Sequence, residues 1–118
     1  AVPARPQPPA TPRILVSRTR PPAVAVRVCD AVGGELVEMG SAGAKVAAVV
    51  TGRAEIYVHA GGQYEWDSAA PVAVARAAGL HTSRIDGTAL RYNQADPLLP
   101  DLLVCVPRYA DAVLAALR

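Results

Sequence analysis

The stretch that decides the fold is Gly33–His59, GGELVEMGSAGAKVAAVVTGRAEIYVH. After the glycine pair, ELVEM (residues 35–39) is a short, largely apolar run that reads as a strand. Ser41 stands where an N-cap belongs, and Ala42, Val46, Val49 and Val50 form one apolar helical stripe behind it. Gly52 closes that helix. EIYVH, residues 55–59, alternates and is rich in β-formers, so it reads as the next strand. Strands alternating with helices predict a layered α/β domain with a largely parallel sheet at its heart.

The same alternation extends in both directions. Upstream, RILVS (residues 13–17) is an apolar run between Pro12 and the polar SRTRPP, a buried strand by pattern. Pro21 and Pro22 suit the first turn of a helix through Val24, Val28 and Val32, which Gly33-Gly34 would end in a left-handed cap. Downstream, Ala60–Tyr64 reads as a glycine-containing loop leading to a helix over Asp67–Ala78, closed by Gly79. Thr82–Ile85 and Leu102–Val106 are the last strand candidates, separated by an irregular RYNQADPLLP, and Ala110–Arg118 is helical with Leu114 and Leu117 on one face. The expectation is one α/β subdomain over residues 13–118, a mostly parallel or mixed five-stranded sheet flanked by helices. Residues 1–12, AVPARPQPPATP, hold five Pro and no apolar period, which reads as an extended linker following something upstream.

Composition narrows the function classes. A chain of 118 residues is enough for one modest domain. Its 52% hydrophobic content is mostly Ala, Val and Leu with no Phe, a core of small aliphatics. The net charge of +2 comes from basic residues that do not cluster, so no nucleic-acid partner is expected. No run of about 18 apolar residues occurs, so no membrane-spanning helix is expected either. Cys29 and Cys105 sit in apolar stretches and read as reduced core thiols of a cytoplasmic protein.

The segment WDSAAPVAVARAAG, residues 66–79, carries the most specific chemistry. It places the carboxylate of Asp67 at a helix entrance just after a loop, where it can accept from free backbone N–H groups and still present an oxygen outward. A hard cation such as Mg²⁺ favours such a ligand together with water and phosphate oxygens. A plain N-cap is the alternative for Asp67. Pro71, which removes a backbone donor, draws the expected helix start closer to itself than to Asp67.

Trp66-Asp67-x-Ala69-Ala70 resembles the second signature of the inositol-monophosphatase superfamily. Gly40-Ser41-Ala42-Gly43-Ala44-Lys45 is similar to that family's Gly-Ser-Ala helix start, and Gly52-Arg53-Ala54-Glu55-Ile56-Tyr57 to the strand that follows it. With YVHAGGQYEWDSAAP, AAGLH, LRYN and LPDLLVC, the pattern looks like the actinobacterial CysQ branch, which acts on 3′-phosphoadenosine 5′-phosphate. The resemblance runs from about Arg13 to the C-terminus. It implies a phosphomonoesterase using two or three Mg²⁺ ions to activate water, hold the phosphate and stabilise the leaving oxygen. Within it, Asp67 is a metal ligand, while Ser41, His59 and Tyr64 lie near the non-phosphate part of the substrate. Either aromatic ring could stack on adenine. Helix capping for Ser41 and loop packing for His59 and Tyr64 are the alternatives, and Trp66 reads as packing behind the site.

The departure from the family matters as much. The superfamily's other metal ligands, a helical Glu and an Asp-Pro-(Ile/Leu)-Asp-Gly-Thr loop, do not occur in this sequence. Asp86-Gly87-Thr88 lacks the preceding Asp-Pro and reads as a turn. The resemblance therefore implies the C-terminal half of a phosphatase, inactive alone, whose partner is the missing N-terminal half of the same fold. An inositol-phosphate or fructose-bisphosphate substrate, or a truncated non-catalytic α/β module, are the competing readings. Ala60, where the inositol branch carries a carboxylate, speaks against inositol. If the missing half covers one face of the sheet, the isolated chain should be oligomeric or marginally stable. Sedimentation and thermal unfolding check this: a sharp, reversible transition of a monomer at high temperature would count against it.

Overall fold

The computed structural model describes residues 11–16, 23–64, 69–90 and 98–118, the side chains of 61–64 and 98–100 excepted. The elements in chain order are β1 (Arg13–Val16), α1 (Ala23–Val32), β2 (Glu35–Glu38), α2 (Ala42–Val50), β3 (Ile56–Tyr64), α3 (Ala69–Ala77), β4 (His81–Ser83), β5 (Leu98–Cys105) and α4 (Pro107–Leu117). The five strands form one sheet in the order β2-β1-β3-β5-β4. β1 runs parallel to β2 and β3, whereas β5 is antiparallel to both β3 and β4. The sheet is thus mixed, parallel in its first three strands. Residues 1–10 of the expected linker lie outside the described residues. Pro12 is buried, and its carbonyl accepts from Glu35 N (2.9 Å).

Strand alternation sorts the core into two layers. Leu15, Tyr57, Leu102 and Val104 face α2 and α3, packing with Val46, Val49, Val72 and Ala75. Ile14, Val16, Ile56, Val58, Leu103 and Cys105 face α1 and α4, packing with Ala25, Val28 and Val113. Both cysteines are free thiols. Burial pushes the Cys105 thiol up to about 12, as expected of a core thiol.

The helix ends fall where the glycines predict, with Gly33 (φ 64°), Gly52 (φ 83°) and Gly79 (φ 82°) in left-handed conformations. Gly34 is required for a second reason. A Cβ there would stand 2.6 Å from the Pro12 carbonyl oxygen and closer still to Ile14 Cδ1.

Three expectations are corrected. Residues 60–64 are not a loop: β3 continues to Tyr64, paired with Leu98, through an irregularity between Ala60 and Gln63. Gly61 and Gly62 stand there opposite Pro100, so the residue that lacks a donor meets the bulge instead of a regular ladder. β5 consequently starts at Leu98, inside the stretch read as irregular; residues 91–97 lie outside the described ones. The last helix starts at Pro107, not Ala110, because proline at a first helical position costs no hydrogen bond.

At the start of β3, Glu55 is fully buried against Arg13 at the start of β1. Arg13 Nε donates to Glu55 Oε1 (2.9 Å) and Nη2 to Oε2 (2.8 Å), while the Arg13 backbone N–H also donates to Oε1 (2.9 Å). At the far side, Arg84 forks onto Asp101 (2.9 and 3.2 Å), which also accepts from Ile85 N (3.0 Å) and so ties the end of β4 to β5. Removing one partner of a buried pair costs far more than the pair contributes net. Arg13→Met should destabilise the chain by about 3 kcal/mol in urea titrations, and adding Glu55→Leu should recover most of that loss.

Candidate functional site

β1, β2 and β3 point the same way, so their C-terminal ends share one edge of the sheet. Open α/β sheets bind ligands outside that edge. Helix α2 starts there, following β2 through Met39, Gly40 and Ser41.

Ser41 caps α2: its Oγ accepts from Ala44 N (3.1 Å) and its carbonyl from Lys45 N (3.2 Å). The capping reading of this residue is therefore correct as far as it goes. Its backbone, however, sits at φ 63°, ψ 132°, the one non-glycine residue of positive φ among those described. L-residues rarely adopt this conformation, and holding one there costs about 1–3 kcal/mol. Such a position persists only where its surroundings fix it. Here Met39 N donates to Val16 O (3.0 Å) and Met39 O accepts from Lys45 Nζ (3.0 Å), so the peptide entering the turn is pinned at both ends. The Ser41 side chain is exposed and, having accepted one bond, retains a proton to donate.

Lys45 is the residue that sequence reasoning quoted without assigning a role. It is 5% exposed, and its ammonium lies 5.4 Å from the centroid of the Tyr57 ring. Burial holds its pKa below the ordinary lysine value. The signal was available: Lys45 is the sole charged residue of AGAKVAAVV. Tyr57 stands 6.4 Å, centroid to centroid, from the half-buried His59, two residues further along the same face of β3. Ser41, Lys45, Tyr57 and His59 thus form a connected series on the α2–α3 side of the sheet. Helix α3 starts at Ala69, and a Cβ on Gly43 would stand 3.7 Å from Pro71 Cγ, so the first turns of α2 and α3 lie against each other.

Asp67 and Trp66 lie outside the described residues, as does the side chain of Tyr64. The Asp86-Gly87-Thr88 triplet is a turn, with Gly87 N donating to Arg84 O (3.0 Å). The Thr88 hydroxyl (2.6 Å) and amide (2.9 Å) both donate to Asp86 Oδ1 and hold that carboxyl below its usual range. Among the described residues, no group of three or more His, Cys, Asp or Glu could hold a metal ion. Nor is any helix long and apolar enough to cross a membrane.

Comparison with known proteins places this geometry. The profile of the Inositol monophosphatase family matches residues 13–118. The chain belongs to the inositol monophosphatase family. Within the family it is 56% identical, over 109 residues, to a 3′-phosphoadenosine 5′-phosphate phosphatase of Mycobacterium bovis, covering 92% of this chain and 41% of that protein. The protein of the same name from Mycobacterium leprae is 53% identical over 106 residues, covering 90% and 39%. Among solved structures, CysQ from Bacteroides thetaiotaomicron, a bacterial member of the family, superposes with a TM-score of 0.70 at 30% identity, covering 85% of this chain and 39% of that one. The chain thus spans about two fifths of the length of these inositol monophosphatase family members.

The depressed Lys45 pKa makes stability depend on pH in a stated direction. The folded state disfavours the ammonium, so the penalty is full below the folded pKa and is relieved as pH rises toward the unfolded value. The stability difference between the parent chain and Lys45→Met should therefore shift in favour of the parent as pH rises toward 10.5. Urea midpoints at neutral and alkaline pH check it, other titrating groups cancelling in the difference.

Proposed function

We propose that this chain is the substrate-recognising part of a phosphoric monoester hydrolase that releases the 3′-phosphate of 3′-phosphoadenosine 5′-phosphate. The reading is carried by 56% and 53% identity, over nine tenths of this chain, to relatives bearing that activity in their names. The arrangement of the α2 entrance supports it. Free amides of a helix N-terminus favour an anion, and the buried Lys45 ammonium adds a fixed positive charge beside it. Ser41 offers a hydroxyl at the same entrance. His59, and Tyr64 further along β3, are the aromatic groups we assign to the adenine ring.

The described residues do not by themselves form a metal-binding set. Mg²⁺ as the metal, with Asp67 as one of its ligands, is proposed on the Trp66-Asp67-x-Ala69-Ala70 signature alone. Completion of the site is assigned to the part of the family fold that this chain does not span. A cytoplasmic location is proposed from the free thiols and from the nature of the substrate.

The chain as it stands should release no phosphate from 3′-phosphoadenosine 5′-phosphate with Mg²⁺. Joined in one polypeptide to the unmatched portion of the M. bovis relative, it should do so, and Asp67→Asn should cut the rate by at least about a hundredfold. Equal rates on inositol monophosphate would sink the substrate assignment. Activity of the unjoined chain would show that its own residues complete the site.

A further inference from the structure

β3 and β5 run on past the rest of the sheet. β1 meets β3 at Ile14↔Ile56 and Leu15↔Tyr57, and β4 meets β5 from Cys105 back to Leu103. Beyond those points, among the described residues, β3 out to Tyr64 and β5 back to Leu98 pair with each other alone. The ribbon begins with His59 opposite Leu102 and ends with the backbone of Tyr64. Two strands by themselves are marginal in water, and the irregularity between Ala60 and Gln63 interrupts their ladder. What holds the ribbon at its base therefore sets its direction.

The hold is at Asp101. Carried on two residues, the β4–β5 register of His81↔Cys105 and Ser83↔Leu103 would set Ile85 opposite Asp101. The chain instead turns away, with Arg84 N donating to Thr88 O (2.8 Å), and the Asp101 side chain takes the place of a strand partner. Its Oδ1 accepts from Ile85 N (3.0 Å) and Arg84 Nε (2.9 Å), and its Oδ2 from Arg84 Nη2 (3.2 Å). With 14% of its side chain exposed, this carboxylate depends on those bonds. Arg84 is itself fixed. Its carbonyl accepts from Gly87 N (3.0 Å) and from the buried Ser83 hydroxyl (2.7 Å), which His81 Nε2 meets at 2.8 Å. Asp101 stands opposite Ala60, the last regular pair before the bulge and the neighbour of His59 in the chain.

We propose that Arg84 and Asp101 are positioning residues for base recognition, a fork between β4 and β5 that aims the ribbon and with it His59 at the substrate. The ligand side of this inference rests on the nucleotide reading above. Alternation puts Ala60 and Asp101 on the face of Val58 and Leu103, and His59 on the face of Tyr57. The fork thus acts from behind the sheet, through the strand backbone and not by contact with the ligand.

The test uses the polypeptide that joins this chain to the unmatched portion of the M. bovis relative. Its variants are Arg84→Met, Asp101→Asn, which keeps an acceptor for Ile85 N and loses the charge, and Val28→Ala. The last opens a cavity in the buried core beside α1 and leaves the fork intact. In the first two variants only, amides of residues 59–64 and 98–102 should exchange about tenfold faster relative to those of residues 56–58. KM for 3′-phosphoadenosine 5′-phosphate should rise about tenfold in the same two with kcat within about twofold, a split that lost stability alone does not produce. Unchanged exchange, faster exchange with unchanged KM, a fall in kcat alone, or an equal rise of KM in Val28→Ala overturns the proposal. A parent polypeptide that releases no phosphate sinks the nucleotide reading instead, and the fork then stands or falls on the exchange comparison.

Discussion

The fold depends on a carboxylate taken wholly out of water. Glu55 is fully buried, and an ionised group there is tolerable only with its oxygens satisfied. The Arg13 guanidinium does this in a two-point fork, and its Nη2 also reaches Gly52 O (2.9 Å). The backbone of Glu55 joins the same knot, donating to Arg13 O (3.1 Å) and accepting from Val106 N (3.0 Å). One residue thereby fixes the starts of β1 and β3 against each other and the end of β5 against both. Through Gly52 it also locates the C-terminal end of α2.

Consequences for the site follow along α2. With its C-terminal end tied to that knot, the helix runs back across the sheet and delivers Ser41 to the opposite edge. The entering peptide is then clamped by β1 through Val16 and by the helix's own Lys45. A strained serine backbone is thus held at the entrance of α2 with its hydroxyl exposed, two residues from the carbonyl that takes the Lys45 ammonium. Rigidity of this sort suits recognition of a small anion, because little conformational entropy remains to be lost on binding. The two helical layers also differ in what they turn outward: α1 and α4 face water with charges, while α2 and α3 keep an uncharged outer surface except at Arg76.

Local pattern determined much of this protein. Short apolar runs marked the cores of β1 and β2 and alternation that of β3, and the glycines at 33, 52 and 79 marked the helix ends, because a left-handed residue is needed there whatever surrounds it. The capping role of Ser41, the turn at Asp86-Gly87 and the free thiols were legible for the same reason: each depends on neighbours a few residues away or on the apolarity of its own segment. The family, too, was legible, in short motifs whose order and spacing are properties of the chain alone.

Only the tertiary structure decided the rest. Gly61-Gly62 and Pro100 each read as a break, yet placed opposite one another they share a single bulge and let β3 and β5 run on. Lys45 carried no role in the sequence until the sheet buried it against Tyr57. Glu55 carried no sign of its partner, 42 residues away. Periodicity tells which face of an element turns inward, because that follows from the geometry of one helix or strand. It does not tell what will be met there, because long-range pairing is set by how the whole chain closes on itself.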